Sequence, residues 1–218
     1  MEKYLDESLS ILERAEALTD AMTVEEQASQ LRYDAPAVER LGIPAYNWWN
    51  EGLHGLARSG ISTMFPQAIG LAAMFDPELT EEAGRVTATE ARAKYNAYTK
   101  YGDRDIYKGL TVWSPNINIF RDPRWGRGHE TYGEDPYLTS RLGVRFVKGL
   151  QGKGKYLKTS ACSKHFAVHS GPESLRHQFD AKVNEKDLYE TYLPAFEATV
   201  KEAQAVTKRR TFVPAERR

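Results

Sequence analysis

The sequence predicts an α/β protein in which leading helices precede strands and helices in alternation, with a parallel sheet and polar groups collected where its strands end. Three observations carry this. Runs of β-like texture, such as residues 111–119 and 159–169, are followed by segments with apolar residues at three-to-four spacing. Alternation of that kind gives a parallel sheet. The runs that mix charges with aromatic rings begin just after the β-like stretches, the edge at which parallel α/β folds hold ligands.

Taken in order, Leu5, Leu9, Leu12 and Ala15 recur at helical spacing and predict an amphipathic helix continuing to about Ala21. Thr23 followed by Glu26 fits a capping box that opens a second helix through Ser29 and Leu31. From Gly42 the run GIPAYNWWNEGLHG, bracketed by Pro44 and Gly52, suits a strand that opens into a polar loop carrying Glu51 and His54. Ile69, Ala72 and Ala73, then Leu79, Ala83, Val86 and Ala93, predict two helices divided at Asp76–Pro77, because proline fits a first helical turn and not a helix interior. The stretch TVWSPNINI returns to strand texture, with Pro115 cutting it short. After a charged loop, Leu142, Phe146, Val147 and Leu150 share one helical face, and Gly152 and Gly154 stop that helix. TSACSKHFAVH reads as a buried strand. Asn184 with Asp187 then caps a helix bearing Leu188, Tyr192, Phe196 and Val200, which Pro194 kinks or splits.

Totals narrow the function classes. A length of 218 residues suffices for one domain with a substantial core. Thirty cationic residues balance thirty acidic ones, so net charge gives no reason to expect a nucleic acid or an anionic membrane as partner. Lys208, Arg209, Arg210, Arg217 and Arg218 cluster in the tail without a stacking platform for bases. The lone Cys162 rules out an intrachain disulfide framework, MEKYLDESLS has no leader-like apolar run, and nothing approaches the ~20 apolar residues of a membrane span. A cytoplasmic, soluble protein is expected.

The candidate site centres on SPNINIFRDPRWGRGHETYGEDP, residues 114–136, which has no helical stripe. Its Arg121, Arg124 and Arg127 lie among Asp122, Glu130, Glu134 and Asp135, so it can pair its own charges and leave a guanidinium fork for an oxygen-rich ligand. The alternative is a solvated, salt-bridged loop. Lys164 and His165 are neighbours, which a regular strand would send to opposite faces; for both to reach one pocket the backbone must bend, bulge or hold a strained peptide bond. His165 and His169 would not share a face of a strand, no HExxH run surrounds them, and neither GxxxxGK[ST] nor GxGxxG is present, so neither a metal nor a nucleotide cofactor is expected. The remaining constellation is Glu51, Arg127, Lys164 and His165, with Trp48 or Trp49 as an apolar face. Such a mixture of cations and a carboxylate suits a neutral polyol, which both donates and accepts hydrogen bonds. For Glu51 the alternative is a solvent-facing loop acid, and for His54 a structural histidine.

These residues resemble the N-terminal catalytic domain of glycoside hydrolase family 3. The matching runs are NWWNEGLHG, FPQAIGLAAMFD, SPNINIFRDPRWGRGHETYGEDP and SKHFAVH, followed by RHQFDAKVNEKDLYETYLPAFE, in order over about residues 22–205. The resemblance implies a (β/α)8 TIM-barrel fold, present here as roughly its first half plus the N-terminal helices. It also implies retaining hydrolysis of terminal non-reducing β-linked sugars, in the β-xylosidase and β-glucosidase branch, on a small oligosaccharide or β-glycoside. By resemblance Arg127, Lys164, His165 and Glu51 hold hydroxyls of the terminal sugar; Trp49, from the residue reading, is the aromatic face expected beside it. Retaining chemistry needs two carboxyl groups about 5–5.5 Å apart. In the family these lie on later elements, so no catalytic carboxylate is assigned here, and Glu130, Glu134 and Asp135 are read as loop-structuring acids. The family-like text ends at residue 206, and residues 207–218 read as a foreign or out-of-frame basic tail.

Overall fold

The structure, a computed structural model, describes residues 2–205 together with the backbone of residues 207–210. The chain opens with a 3-10 turn, Lys3–Leu5, and helix α1 (Ile11–Ala21). The helix starts later than the leucine spacing predicts. Glu13 N–H donates to the Ser10 hydroxyl, and Ser10 N–H donates to the Glu13 carboxylate at 2.9 Å, a capping box that fixes the first turn. Nor is the leucine stripe a buried face: Leu5 and Leu12 are exposed and α1 buries no side chain among the described residues. Helix α2 (Val24–Ser29) begins at the Thr23–Glu26 box, as the sequence requires.

The run before Glu51 forms less strand than expected, and of the opposite sense. β1 (Asp34–Ala35) and β2 (Tyr46–Asn47) make a two-residue antiparallel ladder, and beyond it Asn50 joins the main sheet through a parallel bridge to Val112. Helices α3 (Ala68–Ala72) and α4 (Pro77–Thr99) divide at Asp76, whose carboxylate accepts the Leu79 N–H while Pro77 occupies the first turn.

The main sheet is parallel, in the order β3 (Thr111–Val112), β4 (Ser160–Phe166), β5 (Thr207–Arg210). β3 is short, as Pro115 requires, and the Ser114–Pro115 peptide is cis. Helix α5 (Pro136–Gln151) crosses from β3 to β4; α6 (Glu185–Asp187), a π turn at Leu188–Tyr192 and α7 (Pro194–Lys201) lead from β4 to β5. Pro194 has no N–H to continue the preceding turn, and the helix restarts there. The backbone of residues 207–210, in the stretch read as foreign, pairs with β4 at Cys162 and Ser163. The side chains of Lys208, Arg209 and Arg210, and Arg217 and Arg218 altogether, lie outside the described residues.

Ile117, Val112, Leu142, Phe146, Val147, Leu150 and Ala161 are almost fully buried and join α5 to the sheet, with Phe196 of α7 packed against them. Helix α4 lies so close to α5 that a Cβ on Gly149 would stand 2.1 Å from the Glu81 carbonyl oxygen. Only glycine allows that approach. The resulting layer of α4, α5 and α7 packs on the sheet from which the loops at its carboxyl edge project.

Candidate functional site

The seven residues of β4 end at the site. Lys164 and His165 are 0% and 3% exposed, so both adjacent side chains point into the protein. The Lys164–His165 peptide is cis and the register against β5 shifts between Ser163 and Phe166. The register shift makes β4 irregular at this pair. Lys164 Nζ stands 3.5 Å from Glu51 Oε2, and His165 Nε2 stands 3.3 Å from Arg127 Nη1. The two contacts belong to one electrostatic unit, since Glu51 acts on the Arg127 charge and Lys164 on that of Glu130.

Arg127 comes from the charged loop, which turns sharply into a 3-10 segment at Gly128–Glu130. A Cβ on Gly128 would lie 2.1 Å from the Phe120 ring, so the turn needs glycine there. Trp125 is buried, edge-on to Phe120 and to His169, and the His169 ring in turn lies 4.5 Å from that of His165. The loop does pair its own charges, Arg124 with Asp122 and Arg127 with Glu130. One expectation changes: the Arg127 fork is not turned to a ligand. Its Nε and Nη2 donate to Glu130 at 2.9 and 2.6 Å, leaving the Nη1 corner toward His165. Burial works against the Arg127 charge, and Glu130, with Glu51 and Glu173 further off, more than restores it. Burial alone would raise the Glu130 carboxyl; hydrogen bonding from Arg127, with the charges of Arg127, Lys164 and His129, outweighs it and holds the group below its ordinary value.

Trp49 packs on Trp113 at 4.4 Å and edge-on to Tyr33 at 5.5 Å, an aromatic wall where the Glu51 loop starts. Trp48 is more exposed and meets Tyr46. His54 lies within hydrogen-bonding distance of the Phe65 carbonyl and of Gln67, consistent with the structural role. Asp135 caps α5 through the Leu138 N–H, and Glu134 is exposed. Among the described residues no three His, Cys, Asp or Glu are grouped to hold a metal ion.

Glu130, read from sequence as a loop-structuring acid, is the partner that holds Arg127. One residue of the site was not singled out from sequence. Asn118, 2% exposed, is bound on both sides of its amide to the 165–167 segment. The available signal was its place in NINI, where a polar residue alternates with buried isoleucines.

Fold and site together define an α/β domain of parallel-sheet type with a mixed-charge cluster toward the carboxyl end of β4. The chain belongs to glycosyl hydrolase family 3: the model of the family's N-terminal domain matches residues 9–208. It is 50% identical over 206 residues to a xylan 1,4-beta-xylosidase of Xylanibacter ruminicola, covering 92% of this chain and 24% of that protein. It is 44% identical over 215 residues to a probable exo-1,4-beta-xylosidase of Aspergillus clavatus, covering 91% and 27%. Among solved structures, a family 3 exo-beta-xylosidase in complex with a xylobiose aziridine activity-based probe superposes with a TM-score of 0.86 at 33% identity, over 97% of this chain and 28% of that one. A b-glucosidase from Erythrobacter marinus gives 0.80 at 29% identity, over 98% and 34%. The chain spans about a quarter of the length of these curated relatives. The fold is accordingly of the TIM-barrel type, and β3, β4 and β5 with their crossover helices form part of such a barrel.

Proposed function

We propose that Glu51, Arg127, Lys164 and His165 form the terminal-sugar pocket of a β-glycosidase acting on terminal non-reducing β-D-xylosyl or β-D-glucosyl residues, with Trp49 beside it. The observation that carries the reading is the meeting of three segments, around residues 51, 127 and 164–165, in two polar contacts of 3.5 and 3.3 Å. Sugar hydroxyls both donate and accept. The ammonium and guanidinium supply donors, the Glu51 carboxylate supplies acceptors, and the imidazole offers either according to its tautomer. The names of the relatives, xylosidases first, favour xylosides.

Binding and orienting the sugar is the part of the reaction these residues perform. Retaining hydrolysis also requires one carboxylate to attack the anomeric carbon and another to protonate the departing oxygen. Glu130 is clamped by Arg127 and Glu51 faces Lys164, so neither is assigned such a step, and the role read for this cluster is to bind the sugar. Isothermal titration of the purified chain with D-xylose and D-glucose tests this. Saturable xylose binding that weakens at least tenfold in Arg127→Met is expected. Absence of any sugar binding by a folded sample refutes the pocket. Hydrolysis of an aryl β-xyloside that disappears in Glu51→Gln or Glu130→Gln refutes the division of roles.

A further inference from the structure

We infer that Asn118 is a positioning residue that sets the tautomer and ring orientation of His165, so that the imidazole presents Nε2 as a hydrogen-bond acceptor toward Arg127. Asn118 is buried, and its side-chain amide makes four contacts, all with one short segment. Nδ2 donates to the carbonyl oxygens of His165 and Ala167 at 2.8 and 2.9 Å. With both of its hydrogens on carbonyls, the amide has a single orientation, and Oδ1 is the atom facing the other way. That oxygen accepts the His165 backbone N–H at 2.8 Å and lies 2.9 Å from His165 Nδ1. An amide oxygen has no hydrogen to give, so the Nδ1 contact is a hydrogen bond only if Nδ1 carries the proton. In a neutral ring Nε2 then bears the lone pair. Arg127 Nη1, 3.3 Å from Nε2, is always a donor, which the lone pair satisfies and a second N–H would oppose.

Asn118 is itself held, its N–H donating to Asn116 Oδ1 at 3.2 Å, and the bridge between Asn116 and Lys164 ties the same stretch to β4. The charged and titratable groups around the ring include Arg127 with Glu130 behind it, Lys164 with Glu51, and the His169 ring at 4.5 Å. This inference deepens the sugar-pocket reading by making His165 the acceptor that holds Arg127 Nη1 in place beside the ligand, and for that consequence it rests on that reading.

The test is long-range 1H–15N correlation on the sugar-free, 15N-labelled chain. For the wild-type protein at neutral pH the expected result is a His165 proton on Nδ1; a proton resident on Nε2 overturns the inference. Asn118→Asp places a carboxylate at Nδ1 and should move the His165 titration upward by at least one pH unit. Asn118→Ala should mix the tautomers and weaken D-xylose binding about tenfold, with Arg127 and Lys164 untouched. A residue that served packing alone would lower stability and leave tautomer and titration unmoved, which would equally overturn the inference. If neither variant folds, the wild-type spectrum decides. The Nδ1–H tautomer in a chain that binds no sugar sustains the role of Asn118 and removes the sugar pocket; the Nε2–H tautomer in a chain that binds sugar does the reverse.

Discussion

Glu130→Gln separates the loop that carries Arg127 from the carboxylate that holds it. In the folded chain Arg127 donates to both Glu130 oxygens, at 2.9 and 2.6 Å, and each side chain is 17% exposed. Glutamine keeps one acceptor and turns an NH2 toward a guanidinium N–H, so one charge-assisted bond is lost together with the nearest counter-charge. A hydrogen bond to a charged group contributes about 1.5–3 kcal/mol, and a fully buried pair broken on one side costs about 3–5 kcal/mol. Residual exposure and the continuing pull of Glu51 and Glu173 on Arg127 place this case near the lower figure. The expected loss is about 2 kcal/mol, or a fall in Tm of about 4–8 °C for a chain of this size. The sign with pH follows from the depressed carboxyl. Its stabilisation is complete above the ordinary carboxylate value of 4.5 and is lost as the pH falls through the lower folded-state value. Urea unfolding followed by tryptophan fluorescence, from neutral pH downward, should show a wild-type advantage that is constant near neutrality and shrinks below that value. A variant within about 0.5 kcal/mol of wild type, the ordinary range for surface substitutions, or a gap that ignores pH, would refute the reasoning.

Gly149→Ala puts a Cβ 2.1 Å from the Glu81 carbonyl oxygen and 2.9 Å from the Arg85 nitrogen, both backbone, so α4 and α5 must part. A loss of about 2–3 kcal/mol is expected in urea unfolding, whereas Gly126→Ala, with nothing within 4 Å, should be neutral or gain up to about 1 kcal/mol. Ser10→Ala removes the α1 cap, a change of about 1 kcal/mol. Because α1 buries no side chain, that change should emerge as faster amide exchange in its first turn while Tm stays put.

What could be read from the sequence follows the range of the interaction responsible. The Asp76–Pro77 division, the Thr23–Glu26 box and the Asn184–Asp187 cap are each settled within a few residues, and all three are in place. At the N-terminus two local signals compete: leucines from Leu5 mark a helical period, yet the Ser10–Glu13 box sets the start. Strand length depends on partners far along the chain. Pro115 announced an early end to the strand in TVWSPNINI, but not that its ladder to β4 would cover Thr111 and Val112 alone. Glu51, Arg127 and the Lys164–His165 pair were legible together as polar chemistry placed after strands, and the resemblance supplied their role toward a terminal sugar. Asn118 was not visible, because an asparagine among isoleucines becomes significant only once residues 165–167 are folded onto it.

The net charge of the cluster bears on what it can hold. Two carboxylates, Glu51 and Glu130, stand against two cations, Arg127 and Lys164, and a His165 with its proton on Nδ1 adds no charge. A phosphorylated or carboxylated ligand entering such a site would meet no net positive field, and would have to displace Glu51 or Glu130 to reach a cation. A neutral hydroxyl needs no such exchange. It can donate to a carboxylate and accept from Nη1 or Nζ while the ion pairs remain. The same balance explains why Lys164 can be wholly buried at the end of β4. Its charge is compensated from the Glu51 loop, the burial keeps Nζ in one place, and placement of that kind is what a pocket must provide if it is to distinguish one sugar hydroxyl from its neighbour.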